Sequence, residues 1–295
     1  MTSRTRLNLA LLLIVLSLMT IVVLEPGKTP EPEAVLLTNL NSSDINKIKI
    51  TRRDIDTIVL EKKSDHWKML SPYTLAANDY KVEAVMKLLK IESAAQYDIN
   101  QLDPVNYGLI NPAVSILFND SPQIDFGNLE PLHKQRYVRI DQQLHIIPDY
   151  YYYQLVSSVT DYLDHALIHE GEKITRIELP ELTLALIDKK WTLSPENKNY
   201  SADAFTDLLN EWQYAHAVEL RPLTKPRKNT GKSIRIFLQG RDIPIEYSLY
   251  QMEDEFILSR VDKNIEYVMA ADKTDALLSL QKRSVDIEAD SELAE

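Results

Sequence analysis

Two histidines four positions apart, His165 and His169, come closest in this chain to a pair of residues that could do chemistry. On a helix, residues i and i+4 face the same way, so the two imidazoles could share a metal ion. The stretch lacks the glutamate that zinc proteases place beside the first histidine, and two ligands are half of the usual set. It also falls at a junction where a polar connecting helix is expected. We therefore predict no metal site, no cofactor and no catalytic residue.

Two charge pairs are the next candidates, Arg139 with Asp141 and Arg260 with Asp262. Each pair could surround a ligand. Exposed pairs beside turns are common and contribute under about 1 kcal/mol, so we expect both to flank turns. The sequence contains no nucleophile elbow, metalloprotease helix or phosphate-binding loop. A catalytic site would have to be assembled from dispersed residues.

Aromatic residues offer a different kind of site. Trp67 and Trp191 each precede a Ser-Pro pair and could line a groove, but a tryptophan at the end of a strand is more often a core anchor. Residues 150–153 are four consecutive tyrosines, which cannot all face one core. We expect one or two of these rings to be exposed, either at an interface or at the edge of a small sheet.

The elements that hold these residues begin with an uncharged run from Leu7 to Leu24, preceded by Arg4 and Arg6. Eighteen helical residues span roughly 27 Å, close to the thickness of a hydrocarbon core. Because the run ends without small residues, it favours an uncleaved anchor over a cleaved signal peptide. Basic residues before the run place the amino terminus in the cytoplasm and the bulk of the chain outside. The sequence therefore predicts a single-pass anchor in a bacterial inner membrane, with residues 1–24 as cytoplasmic stub and span.

Composition limits what the exported part can bind. The net charge is -11 and the basic residues are scattered, which argues against nucleic acid as a partner. The chain contains no cysteine, which is compatible with an oxidising compartment such as the periplasm. Residues 25–43 are rich in proline and predict a spacer, and residues 282–295 predict an acidic disordered tail. Sequons at Asn41, Asn119 and Asn199 carry little weight, since such triplets arise often by chance.

The remainder looks duplicated. Blocks in the same order recur about 120 to 130 positions apart, such as Trp67 to Pro72 with Trp191 to Pro195. Arg139-Ile140-Asp141 likewise matches Arg260-Val261-Asp262. We expect a first module at 44–170 and a second at 171–281. Strands interrupted by a helix, without strict alternation, predict an α+β fold with antiparallel sheets.

Each module is expected to begin with strands and then a helix. Residues 44–71 alternate apolar and polar residues in three runs separated by turns. The helix that follows has Asn78 or Asp79 as its cap and an apolar face at Val82, Val85, Met86 and Leu89. The second helix follows Ser201 and is predicted to bury the face formed by Ala202, Phe205, Leu209 and Trp212. Two hairpins complete each module.

These blocks resemble a family of bacterial single-pass membrane proteins known as domain of unknown function 4340. The likeness rests on the anchor, the strand Asp44 to Ile50, Leu60-Glu61-Lys62 with Trp67 and Pro72, the segment Asn106 to Pro112, and Tyr137 to Asp141. Its most specific part is Tyr107-Gly108-Leu109 followed by Pro112; the second module lacks this segment. The resemblance implies an accessory role beside an ABC-type transporter and supplies no catalytic residues.

The sequence therefore favours a non-enzymatic, membrane-anchored binding or scaffold protein of the bacterial envelope. Its partners would be the inner membrane and another envelope protein or a polymer. Two alternatives stay open: an envelope hydrolase with an unrecognised site, perhaps metal-assisted through His165 and His169, and a carrier of lipids or hydrophobic ligands. A carrier would require an apolar cavity between sheet and helix.

Overall fold

The computed structural model describes residues 3–24, 35–132, 134–225, 231–252 and 255–281. Two compact units divide the chain, residues 1–35 and residues 36–295. The first contains the helix α1, Ser3–Leu24. Within α1, side chains are described for Asn8 and residues 11–20. No helix in the described stretches is long and apolar enough to cross a membrane, and part of the predicted span at 7–24 lies outside the side chains that are described.

The second unit is built on two large antiparallel sheets. Two short strands, β1 (Val35–Leu36) and β6 (Glu92–Ser93), lie outside them. The first sheet has nine strands: β2 Lys47–Arg52, β3 Ile55–Lys63, β4 His66–Ser71, β5 Leu75–Ala76, β7 Ala95–Asp98, β8 Val114–Phe118, β9 Gln123–Leu129, β10 Gln135–Ile140 and β11 Gln143–Pro148. Their order across the sheet is β5-β4-β3-β2-β8-β9-β10-β11-β7.

The second sheet has eight strands: β12 Ile174–Glu178, β13 Thr183–Ile187, β14 Lys190–Ser194, β15 Glu219–Pro222, β16 Lys232–Leu238, β17 Ile245–Gln251, β18 Phe256–Arg260 and β19 Ile265–Met269. Their order is β14-β13-β12-β16-β17-β18-β19-β15. With β5 set aside, this order repeats that of the first sheet strand for strand, so β4 corresponds to β14 and β7 to β15. The predicted α+β class with antiparallel sheets is confirmed.

Four helices accompany the sheets: α2 Asp79–Met86, α3 Tyr150–Val156, α4 Ala202–Gln213 and α5 Lys273–Leu278. Both predicted caps are present. The Asn78 side chain accepts a hydrogen bond from the Lys81 N–H at 3.2 Å, and the Ser201 hydroxyl accepts one from the Ala204 N–H at 3.3 Å. A carbonyl or hydroxyl oxygen at this position satisfies an N–H that the first helical turn leaves without a partner. The residue before each helix therefore fixes where the helix begins.

The helix α4 buries a slightly different face from the predicted one. Ala204, Leu208 and Trp212 are buried, while Phe205 and Leu209 are half-buried. Ala202 is exposed because it stands at the first turn. The indole N–H of Trp212 donates to the Leu277 carbonyl of α5 at 2.7 Å, inside the core. This hydrogen bond connects α5 to α4.

Alternation along the strands places one face of each sheet in the core. In β2, Ile48, Ile50 and Arg52 are buried and the residues between them are exposed. Buried residues from both sheets join one hydrophobic cluster. Inside this core, the Tyr247 hydroxyl of β17 donates to the Leu167 carbonyl in the stretch that connects the two sheets, at 2.8 Å. The helices α2 and α4 contribute to the same cluster through Val82, Val85, Leu208 and Trp212, so they pack directly on the sheets.

The first sheet is also covered on its other face. Residues 99–112 cross it, and Ile99, Leu109 and Leu144 form a second, small core there. The ring of Tyr107 packs edge-on against Tyr137, with 4.8 Å between centroids. Gly108 ends a short 3₁₀ turn at φ 70°, a conformation that favours glycine. The segment that carries the most specific part of the family resemblance is therefore a structural cover for the sheet.

Side chains as well as backbone hold the turns. Asn119 follows β8 at φ 51°, and its side-chain oxygen accepts the N–H groups of Asn46 and Lys47 at 2.9 and 3.1 Å. Its amide nitrogen donates to the Asp44 carbonyl at 2.9 Å. Asparagine tolerates the left-handed region better than most residues, which suits it to this position. The hairpin β8–β9 is thereby fastened to the start of β2.

Two parts of the predicted organisation need comment. The prediction of a polar connecting helix around His165 and His169 is wrong, because this stretch is irregular. It forms isolated β-bridges instead, between Ala77 and Leu163 and between Ala166 and His216. Residues 25–34 of the predicted spacer and the whole predicted tail, 282–295, lie outside the described residues. The remaining spacer contains β1 and a 3₁₀ turn that begins at Ser42.

Candidate functional site

A groove of about 700 Å³ with a lining of charged and aromatic residues lies beside α2. We call it the helix groove. The residues that line it come from the 3₁₀ turn before β2, the β3–β4 hairpin, α2 and its continuation, and α3: Ser42, Ser43, Lys62, Asp65, Trp67, Asp79, Glu83, Met86, Lys87, Lys90 and Tyr151. Its position follows from the packing of α2 against the sheet, which leaves one flank of the helix open.

The helix groove carries both signs of charge around an aromatic wall. Three lysines and three carboxylates line it. On a chain with a net charge of -11, this is a local enrichment in positive charge. Burial, followed by a hydrogen bond with Tyr150, raises the pKa of Tyr151 to about 12, so the phenol stays neutral. The arrangement can bind a polar ligand that presents both charges and an apolar surface, as protein segments do.

Two histidines meet at the end of this groove, though not the predicted two. His66 at the start of β4 packs edge-on against His169, with 5.1 Å between ring centroids. Each Nδ1 is held by a carboxylate, His66 by Asp79 at 3.4 Å and His169 by Asp164 at 3.1 Å. The pair joins the first sheet to the stretch that leads into the second. We call these four residues the histidine cluster.

The charge states in the histidine cluster depend on these contacts. The hydrogen bond to Asp164 raises the pKa of His169 above its ordinary value, against the opposing effect of burial. Burial alone would raise the pKa of Asp164, but the hydrogen bonds from His169 and from the Ala166 N–H outweigh it and lower the pKa. Each partner therefore favours the charged form of the other.

His165 is not part of this cluster. Its Nδ1 lies 3.1 Å from the Ala217 carbonyl and donates to it, because a carbonyl can only accept. Without a helix between them, His165 and His169 have no common face. In the described residues, no group of three or more histidines and carboxylates is placed to hold a metal ion. The geometry gives no support to a metal shared by these two histidines.

Of the two predicted charge pairs, one forms. Arg260 makes a two-pronged contact with Asp262, at 3.2 and 2.8 Å. Arg139 instead binds Asp125 through Nε and Nη2, since Asp125 lies directly opposite it in the β9–β10 ladder. Asp141 occupies the turn at φ 51°.

Asp125 is itself almost completely buried, with 4% of its side chain exposed. Its second oxygen accepts hydrogen bonds from the Ser115 hydroxyl at 2.6 Å and the Gln123 amide at 2.7 Å. With the Arg139 contact, these bonds satisfy a carboxylate that burial would otherwise penalise. The network therefore explains how an aspartate can sit in the middle of a sheet.

The aromatic candidates divide between core and surface. Trp67 is buried, while Trp191 at the matching place is only half-buried. In α3, Tyr150 and Tyr153 are more than half exposed, whereas the two rings between them in the sequence, Tyr151 and Tyr152, pack against the core. The prediction that one or two of these rings are exposed is confirmed.

Sequence reasoning missed His66 and Asp125. Both meet their partners through tertiary contacts, His66 with a residue more than a hundred positions away and Asp125 with a neighbouring strand. For Asp125 a signal was present: an acidic residue in an apolar alternating run needs a basic partner nearby. For His66 the sequence carried none.

Comparisons with known proteins do not assign the chain to a family. No family model matches the chain. Neither the curated proteins nor the solved structures yield a similar protein. The resemblance to the bacterial family named above therefore stays a prediction.

Proposed function

We propose that this chain is a membrane-anchored binding or scaffold protein of the bacterial envelope. In this proposal the run 7–24 is a single-pass anchor in the inner membrane, with the amino terminus in the cytoplasm and the remainder in the periplasm. The modules at 44–170 and 171–281 arose by tandem duplication and act without catalysis. An envelope protein is held against the first module, and the family resemblance suggests a component of an ABC-type transporter.

The observation that carries the binding role is the helix groove. Its 700 Å³ are open to solvent and lined by lysines, carboxylates and two aromatic rings. Such a mixture can pair with charges on a protein segment and cover its apolar side chains. Lys87 and Lys90 are exposed at the C-terminal end of the helical segment, where they can meet acidic groups, and Lys90 Nζ donates to the Asn41 side-chain oxygen at 3.4 Å.

The duplication is supported by the repeated strand order and by matched details. The counterpart strands β4 and β14 both begin around a tryptophan, and both module helices start at a polar cap directly after the connecting loop. Two sheets of unrelated origin would not be expected to share the same order of eight strands. Two similar modules on one anchor suit a scaffold, since each presents its own surfaces.

The two alternative functions receive less support from the geometry. A metal-assisted hydrolase through His165 and His169 needs a shared ligand site, but His165 binds a backbone carbonyl. A carrier of hydrophobic ligands needs an apolar cavity between sheet and helix, but the facing residues Ile48, Leu60 and Val82 are completely buried in a continuous core. We therefore favour protein binding.

The binding role can be tested with photo-crosslinking residues in living cells. A crosslinker at Lys87 or at Lys90 should trap the same envelope protein, because both positions border the helix groove. The matched control is Ile243, which is 80% exposed on the second module and should not trap that protein. With the crosslinker at one of these positions, changing the other lysine to glutamate should weaken the adduct. Trapping of cytoplasmic proteins alone would overturn the proposal.

The topology can be tested separately because the chain has no cysteine. A single cysteine at Ile243 should react with a membrane-impermeant maleimide in spheroplasts. A single cysteine at Thr2 should react only after lysis. Labelling of Thr2→Cys in intact spheroplasts would show that the orientation is wrong.

A further inference from the structure

The two sheets differ at one edge. In the first sheet, β5 covers β4, pairing Leu75 with Met69 and Ala76 with Lys68. Just beyond it, the Ala77 N–H donates to the Trp67 carbonyl at 2.9 Å. The Trp67 N–H is satisfied in turn by an Asp79 carboxylate oxygen at 3.2 Å. The backbone groups on this edge of the first sheet are therefore capped by the chain itself.

The second sheet has no such strand in the part of the chain that the structure describes, and β14 is its terminal strand. The stretch that corresponds to β5 folds into a turn, where the Asn199 N–H donates to the Asn197 side chain at 3.0 Å. Composition explains the difference. The first module has Tyr-Thr-Leu-Ala here, which favours a strand, and the second has Glu-Asn-Lys-Asn, which favours a turn.

The hairpin geometry shows which backbone groups this leaves open. The strands β13 and β14 are joined by Asp188 and Lys189 alone, at φ 47° and 64°. In a two-residue hairpin, the two residues that flank the turn exchange backbone hydrogen bonds. Every second residue along β14 from that point, such as Thr192, therefore also forms its backbone hydrogen bonds with β13. Trp191 and Leu193 must then point their N–H and C=O groups away from β13, toward the open edge.

Apolar side chains on and beside this edge strand are left partly uncovered. Trp191 and Leu193 are half-buried, whereas the matching Trp67 and Met69 of the first sheet are buried. Leu186 and Ile187 are 43% and 56% exposed. They stand where the first sheet has Lys62 and Lys63, because Leu186 pairs with Trp191 as Lys62 pairs with Trp67. Leu186 and Ile187 lie on β13 beside the edge strand, so the charges that the first sheet carries on β3 are missing next to this open edge.

We propose that β14 is a self-association edge, on which β14 of a second copy of this chain lies antiparallel. The two-fold axis passes through Thr192, so Trp191 of each copy lies opposite Leu193 of the other. These residues are the ones with outward backbone groups, so each such pair exchanges both of its N–H···O bonds. Lys190 then lies opposite Ser194, and no like charges face each other within the strand.

The register is fixed by the pleat. Shifting the axis by half a residue would place Thr192 opposite Leu193 and bring inner side chains against outer ones. Moving it by a whole residue to Trp191 or Leu193 keeps the hydrogen-bond pattern but shortens the overlap of a five-residue strand. The axis at Thr192 satisfies both requirements. It also brings the half-buried Trp191 and Leu193 side chains of the two copies together on the core face.

Single cysteines in the full-length chain test this pairing, because the chain contains none of its own. Facing residues at a pair that is not hydrogen-bonded are about 4.5 Å apart between Cα atoms, within the range of a disulfide. Thr192→Cys should therefore shift the band from 33.9 kDa to twice that mass on a non-reducing gel, in cells and in detergent. Lys68→Cys, the matching position on the covered strand, should stay monomeric. Lys190→Cys should too, since its copies lie about 13 Å apart along the strands.

A second variant separates the interface from the fold. Thr192→Lys places two like charges opposite each other across the axis, and because Thr192 is exposed, the variant should keep the circular dichroism spectrum and reduce the dimer. The failure of Thr192→Cys to crosslink, with the full chain monomeric by light scattering in detergent, would overturn the proposal. Crosslinking of Thr192→Cys to a different protein would overturn it as well, since another chain would then occupy the edge. The groove variants described above leave β14 unchanged, so the two proposals can fail independently.

Discussion

Replacing His145 by leucine should make the protein less sensitive to acid. His145 lies on β11 with 4% of its surface exposed, and its Nδ1 has no hydrogen-bond partner among the described residues. Burial lowers the pKa of this imidazole below its ordinary value of 6.5, because the charged form would lose its hydration without compensation. The folded protein therefore holds His145 neutral.

The sign and size of the effect follow from proton linkage. An unfolded chain takes up a proton on His145 more readily than the folded chain, so the free energy of unfolding falls as the pH drops below about 6.5. The slope is at most about 1.4 kcal/mol per pH unit for one proton. Between pH 6.5 and 5.5 this residue should thus cost at most about 1 kcal/mol. Above pH 7.5 its contribution to the pH dependence disappears.

Urea unfolding of the full chain in detergent, followed by tryptophan fluorescence at several pH values, measures this difference. The wild type should lose more stability than His145→Leu between pH 6.5 and 5.5, by at most about 1 kcal/mol. The matched control is Gln143→Leu on the same strand, because it removes no ionisable group and should leave the slope unchanged. Equal slopes for the wild type and His145→Leu would refute the argument that His145 is held neutral by burial.

Three further predictions rest on single contacts. Gly108→Ala should lower the free energy of unfolding by about 1 to 2 kcal/mol in urea, because φ 70° disfavours a side chain and the new Cβ would meet the Asn128 side-chain amide. The control Gly171→Ala, at φ 84° in open space, should cost less. Trp212→Phe should cost about 3 kcal/mol, since it removes ring volume and leaves the buried Leu277 carbonyl without a donor, and hydrogen exchange should rise in α5. His169→Gln should cost more at pH 5.5 than at pH 8.5 in the same assay, because a raised pKa gives stability that is lost as the pH rises through it. An equal loss at both values would contradict that last expectation.

The regular elements could be predicted because their signals are local. Alternation along β2, turn residues such as Asn119 and the cap at Ser201 each act within a few residues. The recurrence of blocks then ordered these elements into two similar halves. The short strands β5 and β7 carry no such periodicity, since two to four residues are too few to show one.

The candidate site could be predicted only in part. The spacing of His165 and His169 suggested a shared face, but that inference required a helix, and tertiary bridges replaced it. Arg139 was predicted to pair with Asp141, two positions away in the sequence. In the structure it binds the buried Asp125, which lies opposite it on the neighbouring strand. Groove formation depends on how α2 sits on the sheet, which no local pattern encodes.

The fastening role of Asn119 bears on how this protein should be produced. The triplet Asn119-Asp120-Ser121 is an acceptor sequence for N-linked sugars, and both ends of the Asn119 amide are already bound to the backbone near Asp44 and Lys47. A glycan on that nitrogen would compete with the bond to the Asp44 carbonyl and crowd the turn. Secretion from yeast or insect cells would thus yield a loosened, heterogeneous product, whereas a bacterial host leaves this asparagine unmodified.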